Sequence, residues 1–301
     1  MTLLITLIIA AITYGTPLLF GTLGEILTEK SGNLNLGVEG IMFMGGALGL
    51  GGVYYYEKLS SSPNGFVAIL VGIFFAFLAG AIASLIFSFL TITLRANQNV
   101  TGLALSIFGT GIGQFIGEYM RVSENGYISV SNMLKGYFQN SPFPKGLQDI
   151  PVVGGILFGN SFFFYLAVAC AVALYWYLNK TRSGLYLRSV GESPATADAA
   201  GINVTRYKYL ATVIGGGVSA VGGMVYLGVA AILYSQKRLD AIGLTKADRL
   251  DYQPLFLIVS AIMFVSVGVL FLKIKEPKLT KETQELEAQH PEWNLAETDA
   301  S

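Results

Sequence analysis

Twenty-nine consecutive residues, Phe66 to Leu94, carry no charged side chain. About 20 helical residues cross the hydrocarbon core of a bilayer. Wound as helix, these 29 residues measure about 43 Å, so the run must tilt or protrude. Comparable apolar runs stand at about Leu3–Leu27, Ile41–Tyr56, Ser161–Leu178, Tyr209–Tyr234 and Pro254–Leu272, and another opens at Asn97–Gly102 and ends near Met120. In lipid every backbone N–H and C=O must be paired within the protein, which leaves helices for runs of this length. Hydrophobic residues make up 53% of the chain and charged residues 13%, leaving no material for a large soluble domain. The expected fold class is all-α, a polytopic transmembrane helical bundle of about seven spans.

The expected organisation is a membrane domain over residues 1–230, a connecting segment over 231–253, a last span over 254–273 and an acidic tail over 274–301. The first apolar run has no basic region before it, which favours a retained span over a cleaved signal peptide. Two helices carry small residues every fourth position, Gly109, Gly113 and Gly117 in the fourth span and Gly215, Ser219 and Gly223 in the sixth. Such rows let another helix backbone approach closely, so both read as packing seams. From Arg121 to Asn160 the chain is polar, and Pro142, Pro144 and Pro151 make a long regular helix unexpected there.

Two polar interruptions stand out. The first, EKSGNLNLGVEG from Glu29 to Gly40, sets asparagines among glycines between two spans. Non-helical backbone near membrane depth is tolerated where it is buried in protein or lines a wet cavity. Asn33, Asn35 and Glu39 are therefore candidate translocation-path residues, beside the alternative of a plain turn. Asn99 and Thr101, at the start of the fourth span, join them. The second interruption, Lys180 to Lys208, carries Lys180, Arg182, Arg188, Arg206 and Lys208 against Glu192 and Asp198. That basic excess places it on the cytoplasmic side by the positive-inside tendency. Within it Ser193 suits an N-cap, Pro194 the first helical position and Gly201 a left-handed stop, with Ala195 to Ala200 between them. A helix of this length, about 10 Å, neither spans a membrane nor stands alone, so it needs a partner surface. An ordinary basic loop is the competing reading. The resulting topology puts the N-terminus outside and the C-terminus in the cytoplasm.

Several function classes are disfavoured. The dipeptide Gly-Lys never occurs, so there is no Walker-type phosphate loop. Mid-span ionisable residues of the kind that proton- or sodium-coupled carriers use are nearly missing, since Glu25, Glu39 and Glu118 fall near span ends. Cys170 is the single cysteine and His290 the single histidine, which rules out a histidine-cysteine metal cluster and an intrachain disulfide. No cofactor is expected on this chain. Net charge is zero with the basic residues dispersed, so no nucleic-acid surface is expected either. A passive pathway, driven by an energy source outside the chain and surrounded by membrane lipid, is what remains.

Four stretches carry a resemblance: GTLGEILTEKSGNLNLGVEGIM (Gly21–Met42), NQNVTGLAL, IPVVGGILFGN (Ile150–Asn160) and LRSVGESPATADAAGINVTRYKYL. Together, over about residues 1–228, they resemble the permease subunits of bacterial ABC importers for nucleosides, within the wider simple-sugar and branched-chain amino-acid permease group. The resemblance implies a multi-pass subunit of the inner membrane that pairs with a second, related permease, with cytoplasmic ATP-binding subunits that use the ATP, and with an extracytoplasmic substrate-binding protein. It implies a coupling segment over Gly191–Ile202; the candidate ATPase-coupling residues are Arg188, just before it, and Gly191, Glu192, Ser193, Pro194, Asp198, Ala199, Ala200, Gly201 and Ile202 within it. The implied solute is a nucleoside, riboflavin or a simple sugar. Beyond about Gly228 the chain departs from the family's pattern, which keeps a second class open, an ion-coupled secondary transporter or a truncated or fused permease remnant.

Overall fold

The computed structural model describes residues 2–233 apart from 124–129, 149 and 151–153. The expected connecting segment, last span and acidic tail lie outside the described residues. All regular elements among the described residues are helical: α1 (Thr2–Glu29), α2 (Val38–Leu59), α3 (Gly65–Ser88), α4 (Gln98–Ser123), α5 (Asn132–Gln139), α6 (Lys145–Gln148), α7 (Phe162–Lys180), α8 (Arg182–Glu192), α9 (Pro194–Ala199) and α10 (Val204–Leu233). Two π-helical turns, Phe89–Thr93 after α3 and Gly154–Phe158 before α7, complete them. Among its described residues, the segment expected to lack a long helix holds the end of α4, the short α5 and α6 and the second of these turns.

Among the described residues, five helices are long and apolar enough to cross a membrane: Ile8–Glu29, Gly65–Thr93, Gln98–Met120, Phe162–Lys180 and Val204–Gly228. The second expected span, α2, is not among them, although its 22 residues measure about 33 Å. Its sequence explains this. Gly40, Gly45, Gly46, Gly49 and Gly51 are all buried, and α2 packs on α3, α4 and α10. A helix enclosed by other helices needs small residues for close approach rather than a lipid-facing apolar surface. At the centre stands α10, 67% buried over its membrane-length window, while α7 at 17% lies on the periphery.

The small-residue seam of α10 serves two neighbours. A Cβ on Gly215 would lie 2.5 Å from the carbonyl oxygen of Gly24 on α1. One turn on, Ser219 donates its hydroxyl to the Gly21 carbonyl at 3.2 Å. Gly223 instead sits against the backbone of Met42 on α2. The α4 seam needs a correction. A Cβ on Gly109 would lie 2.6 Å from the Gly40 backbone and one on Gly113 would meet the Phe43 ring, but Gly117 has no atom within 4 Å of its Cβ position. Four residues turn a helix about 40° past a full circle. By the third step the row has left the contact line, and Met120, three residues on, packs on Gly51 instead.

The larger difference lies at residues 182–192. These read as the polar lead-in to one short helix, yet they form α8, whose Leu187 and Val190 are buried at 1% and 0% exposure. Leu187 joins Leu27, Leu178 and Ala211 in a cluster tying α8 to α1, α7 and α10. Thr181 caps α8 by accepting from the Gly184 N–H at 3.0 Å.

Candidate functional site

The interruption after α1 is non-helical, as its glycines and asparagines suggest, and its residues alternate, with Ser31, Asn33, Asn35 and Gly37 buried and Gly32, Leu34 and Leu36 exposed. Gly32 has φ +80°, the left-handed value that glycine adopts without a Cβ penalty. Its N–H bonds to the Glu29 carbonyl at 2.8 Å and that of Asn33 to the Thr28 carbonyl at 3.4 Å, a Schellman ending for α1. The reversal carries Asn33 and Asn35 inward, where they are 1% and 3% exposed.

Burying polar side chains is costly unless they are paired. Here the pairs are both local and long-range. Asn33 donates its side-chain amide to Thr212 Oγ1 on α10 at 3.0 Å. The Asn35 N–H donates to Glu25 Oε1 on α1 at 3.1 Å, and Asn35 Oδ1 accepts from the Gly37 N–H at 2.9 Å. The Leu34 N–H donates to Gln98 Oε1 at 2.8 Å, and Ser106 donates to the Leu36 carbonyl at 3.2 Å. Residues 31–37 are thus a hub fixed to α1, α4 and α10.

The same hub touches the segment after α7. A Cβ on Gly32 would lie 3.2 Å from Gly191 Cα, and one on Gly191 would run into the Lys30 carbonyl. Backbone meets backbone here, and neither position tolerates a side chain. Gly191 belongs to the last turn of α8, whose next residues lead into α9.

The six residues of α9 carry well-formed ends. Pro194 opens the helix. Gly201 has φ +79°, and the N–H groups of Gly201 and Ile202 bond to the carbonyls of Asp198 and Ala197 at 2.8 and 3.0 Å, a second Schellman ending. Ser193 occupies the N-cap, but its hydroxyl pairs with Thr196 Oγ1 at 2.8 Å and not with backbone. Ala197 is buried; Glu192, Ser193, Pro194, Asp198, Ala199, Ala200 and Gly201 are exposed, and Arg188 and Ile202 half-buried. The result is an exposed face of small residues with Glu192 and Asp198 as its charged members.

The remaining candidates sit apart from the buried hub. Glu39 is exposed in the first turn of α2. Asn99 is exposed in the first turn of α4, where its N–H is capped by Asn97 Oδ1 at 3.0 Å. Thr101, half-buried, turns its hydroxyl onto the Asn97 carbonyl at 2.8 Å. Sequence reasoning missed Glu25, Gln98 and Thr212 as partners of the hub. A polar residue in an apolar helix was the available signal for Thr212, and it names no partner.

Comparison with known proteins places this arrangement. Residues 7–239 match the family described as the permease component of branched-chain amino acid transport systems. The nucleoside ABC transporter permease protein of Lactococcus lactis is 34% identical over 214 residues, 71% of this chain and 64% of the relative. The guanosine ABC transporter permease protein of Bacillus subtilis is 32% identical over 236 residues, 78% of this chain and 70% of the relative. The glucose ABC transporter permease protein of Haloferax volcanii is 25% identical over 237 residues, 75% and 56% of the two chains. This chain therefore spans about two-thirds or less of the length of several relatives that it matches. No solved structure matches. The match over most of the chain, the apolar helices and the four sequence motifs agree: this multi-pass membrane protein belongs to the branched-chain amino acid transport permease family.

Proposed function

We propose that this chain is the membrane-spanning permease subunit of an ATP-driven importer, and that its solute is a nucleoside or a related small polar molecule. The observation that carries the reading is the backbone contact between Gly191 and Gly32. Through it the exposed α9 is set one turn away from a buried hub that grips α1, α4 and α10. A push on α9 is thereby transmitted to three spans at once, the kind of contiguous element through which an outside energy source biases a two-state pathway. The relatives' names supply the solute class and the ATP requirement.

In this reading α8, α9 and the hub face the cytoplasm, where an ATP-binding subunit receives α9 in a groove. The N-terminus then lies outside, a second related permease completes the pathway, and an extracytoplasmic binding protein delivers solute. Asn33 and Asn35 brace the pathway, and Glu39, Asn99 and Thr101 stand at its cytoplasmic mouth.

The test is co-purification from native membranes of this chain intact and as Ala199→Arg. Ala199 is exposed, so the charged substitution leaves the fold alone. An ATPase recovered with the intact chain and lost with the variant supports the assignment. An intact chain that takes up solute with no ATPase bound and no dependence on ATP favours the ion-coupled alternative.

A further inference from the structure

About 20 Å from the hub along α1, near the other end of the bundle, lies a cavity of about 80 Å³ between α1, α5, α7 and α10. Its polar wall is Thr13, Thr16, Gln139, Asn160 and Ser161, and no charged residue of the described chain lines it. The apolar wall includes Phe138 and Phe163, stacked with ring centres 5.6 Å apart. Thr16 is 4% exposed and Asn160 5%.

Asn160 is the unusual member. Its amide nitrogen donates to the Ile156 carbonyl at 2.6 Å, closing the π-helical turn before α7. Its Oδ1 is buried and, among the described residues, accepts no hydrogen bond. Most buried polar atoms are paired, and each exception needs a reason. The Thr13 and Thr16 hydroxyls donate to Ile9 and Ile12 carbonyls, so they present oxygen lone pairs to the cavity. Thr13, Thr16 and Asn160 thus offer acceptors here with their own donors spent elsewhere, beside the Gln139 amide and the Ser161 hydroxyl. Asn160 also ends Ile150–Asn160, a motif that the hub and α9 leave without a role.

We propose that this cavity is a hydrogen-bonding subsite for the transported solute. Asn160 Oδ1 accepts from an O–H or N–H group, and the Phe138 and Phe163 rings flank it. The volume holds a hydroxymethyl or amino group and excludes a whole nucleoside, so one edge of the solute is gripped and the rest lies in the pathway. Without a charged group in the lining, a zwitterion or a phosphate would lose its hydration uncompensated. The edge of the solute held here is neutral. This inference rests on the permease reading and narrows it toward solutes that present an uncharged hydroxyl or amino edge, as nucleosides and sugars do.

The test uses the complete transporter in native cells, wild type and Asn160→Leu, with uptake of radiolabelled guanosine, glucose and leucine. Leucine is near the size of asparagine and removes the acceptor, so ATPase co-purification stays at the wild-type level. The KM for the transported neutral solute rises about three- to tenfold with kcat little changed, the loss expected for one neutral hydrogen bond. Asn160→Ala, which only removes atoms, carries the same expectation should the leucine variant fail to insert. An unchanged KM in both variants, as when water alone pairs Oδ1, overturns the subsite. Wild-type uptake of leucine with neither neutral solute overturns the neutral assignment while leaving the importer standing. A wild type that binds no ATPase and takes up none of the three overturns the importer reading itself.

Discussion

Gly191 of α8 and Gly32 after α1 touch backbone to backbone, 159 residues apart by their numbering, with 3.2 Å between a Gly32 Cβ position and Gly191 Cα. Nothing larger than hydrogen fits on either side. Gly191→Ala drives a methyl group into the Lys30 carbonyl, and overpacking of this kind costs about 1–3 kcal/mol. The expected result is a lower melting temperature of the detergent-solubilised chain. In the assembled transporter, solute should also stimulate the ATPase less than in wild type, because the lever between α9 and the hub is displaced.

Thr212 tests the hub from the other side. Its hydroxyl accepts from Asn33 at 3.0 Å while donating to the Lys208 carbonyl at 2.9 Å. Thr212→Val keeps the shape and leaves the Asn33 amide as a buried donor without a partner, a loss of about 1–3 kcal/mol. Thr212→Ser keeps the hydroxyl and should recover most of it. Thermal unfolding of the two variants side by side separates hydrogen bonding from packing, because serine lacks the methyl group and valine lacks the oxygen.

Both predictions depend on contacts that local sequence does not encode. The spans were legible because lipid demands long uncharged runs, and α9 because Pro194 and Gly201 punctuate it in the standard way. Its neighbour α8 was not legible. Gly184, Gly191 and two arginines within RSGLYLRSVGE lower its helical and apolar signal, and it is tertiary packing, Leu187 against α1, α7 and α10, that holds it as a helix. The polar stretch after α1 announced itself through composition, but its partners Thr212 and Gln98 lie 179 and 64 residues from Asn33 and Leu34. Asn160 gave no chemical signal, since one asparagine ahead of a span reads as a cap or a turn.

The two glycine rows give a contrast that needs no partner protein. Gly223 and Gly117 were both read as seam residues from spacing, yet Gly223 lies on the Met42 backbone and Gly117 faces open space. Gly223→Ala must push α10 away from α2 at the centre of the bundle, so the expected outcome is a chain that inserts but elutes aggregated in size-exclusion chromatography. Gly117→Ala should elute as wild type. Its stability should change by no more than about 0.5 kcal/mol, or rise slightly, because alanine favours helix over glycine.

Gly201 is where the shape of α9 is set, and its substitution separates shape from surface. Its φ of +79° is left-handed, and no atom lies within 4 Å of its Cβ position, so any penalty for a side chain comes from the backbone alone. For a residue such as alanine that penalty is about 1–2 kcal/mol. The chain relieves it by giving up the bonds from Gly201 and Ile202 to Asp198 and Ala197, which unwinds the last turn of α9. Because α9 is exposed and α10 is held elsewhere by α1, α2 and α3, global unfolding should move little. Association with the ATPase should fall about tenfold for each 1.4 kcal/mol spent restoring the bound shape. Gly201→Asn should lose less, since asparagine tolerates the left-handed region. Co-purified ATPase should therefore rank wild type above asparagine above alanine. Equal recovery from all three would mean that the ATPase does not read the geometry of α9.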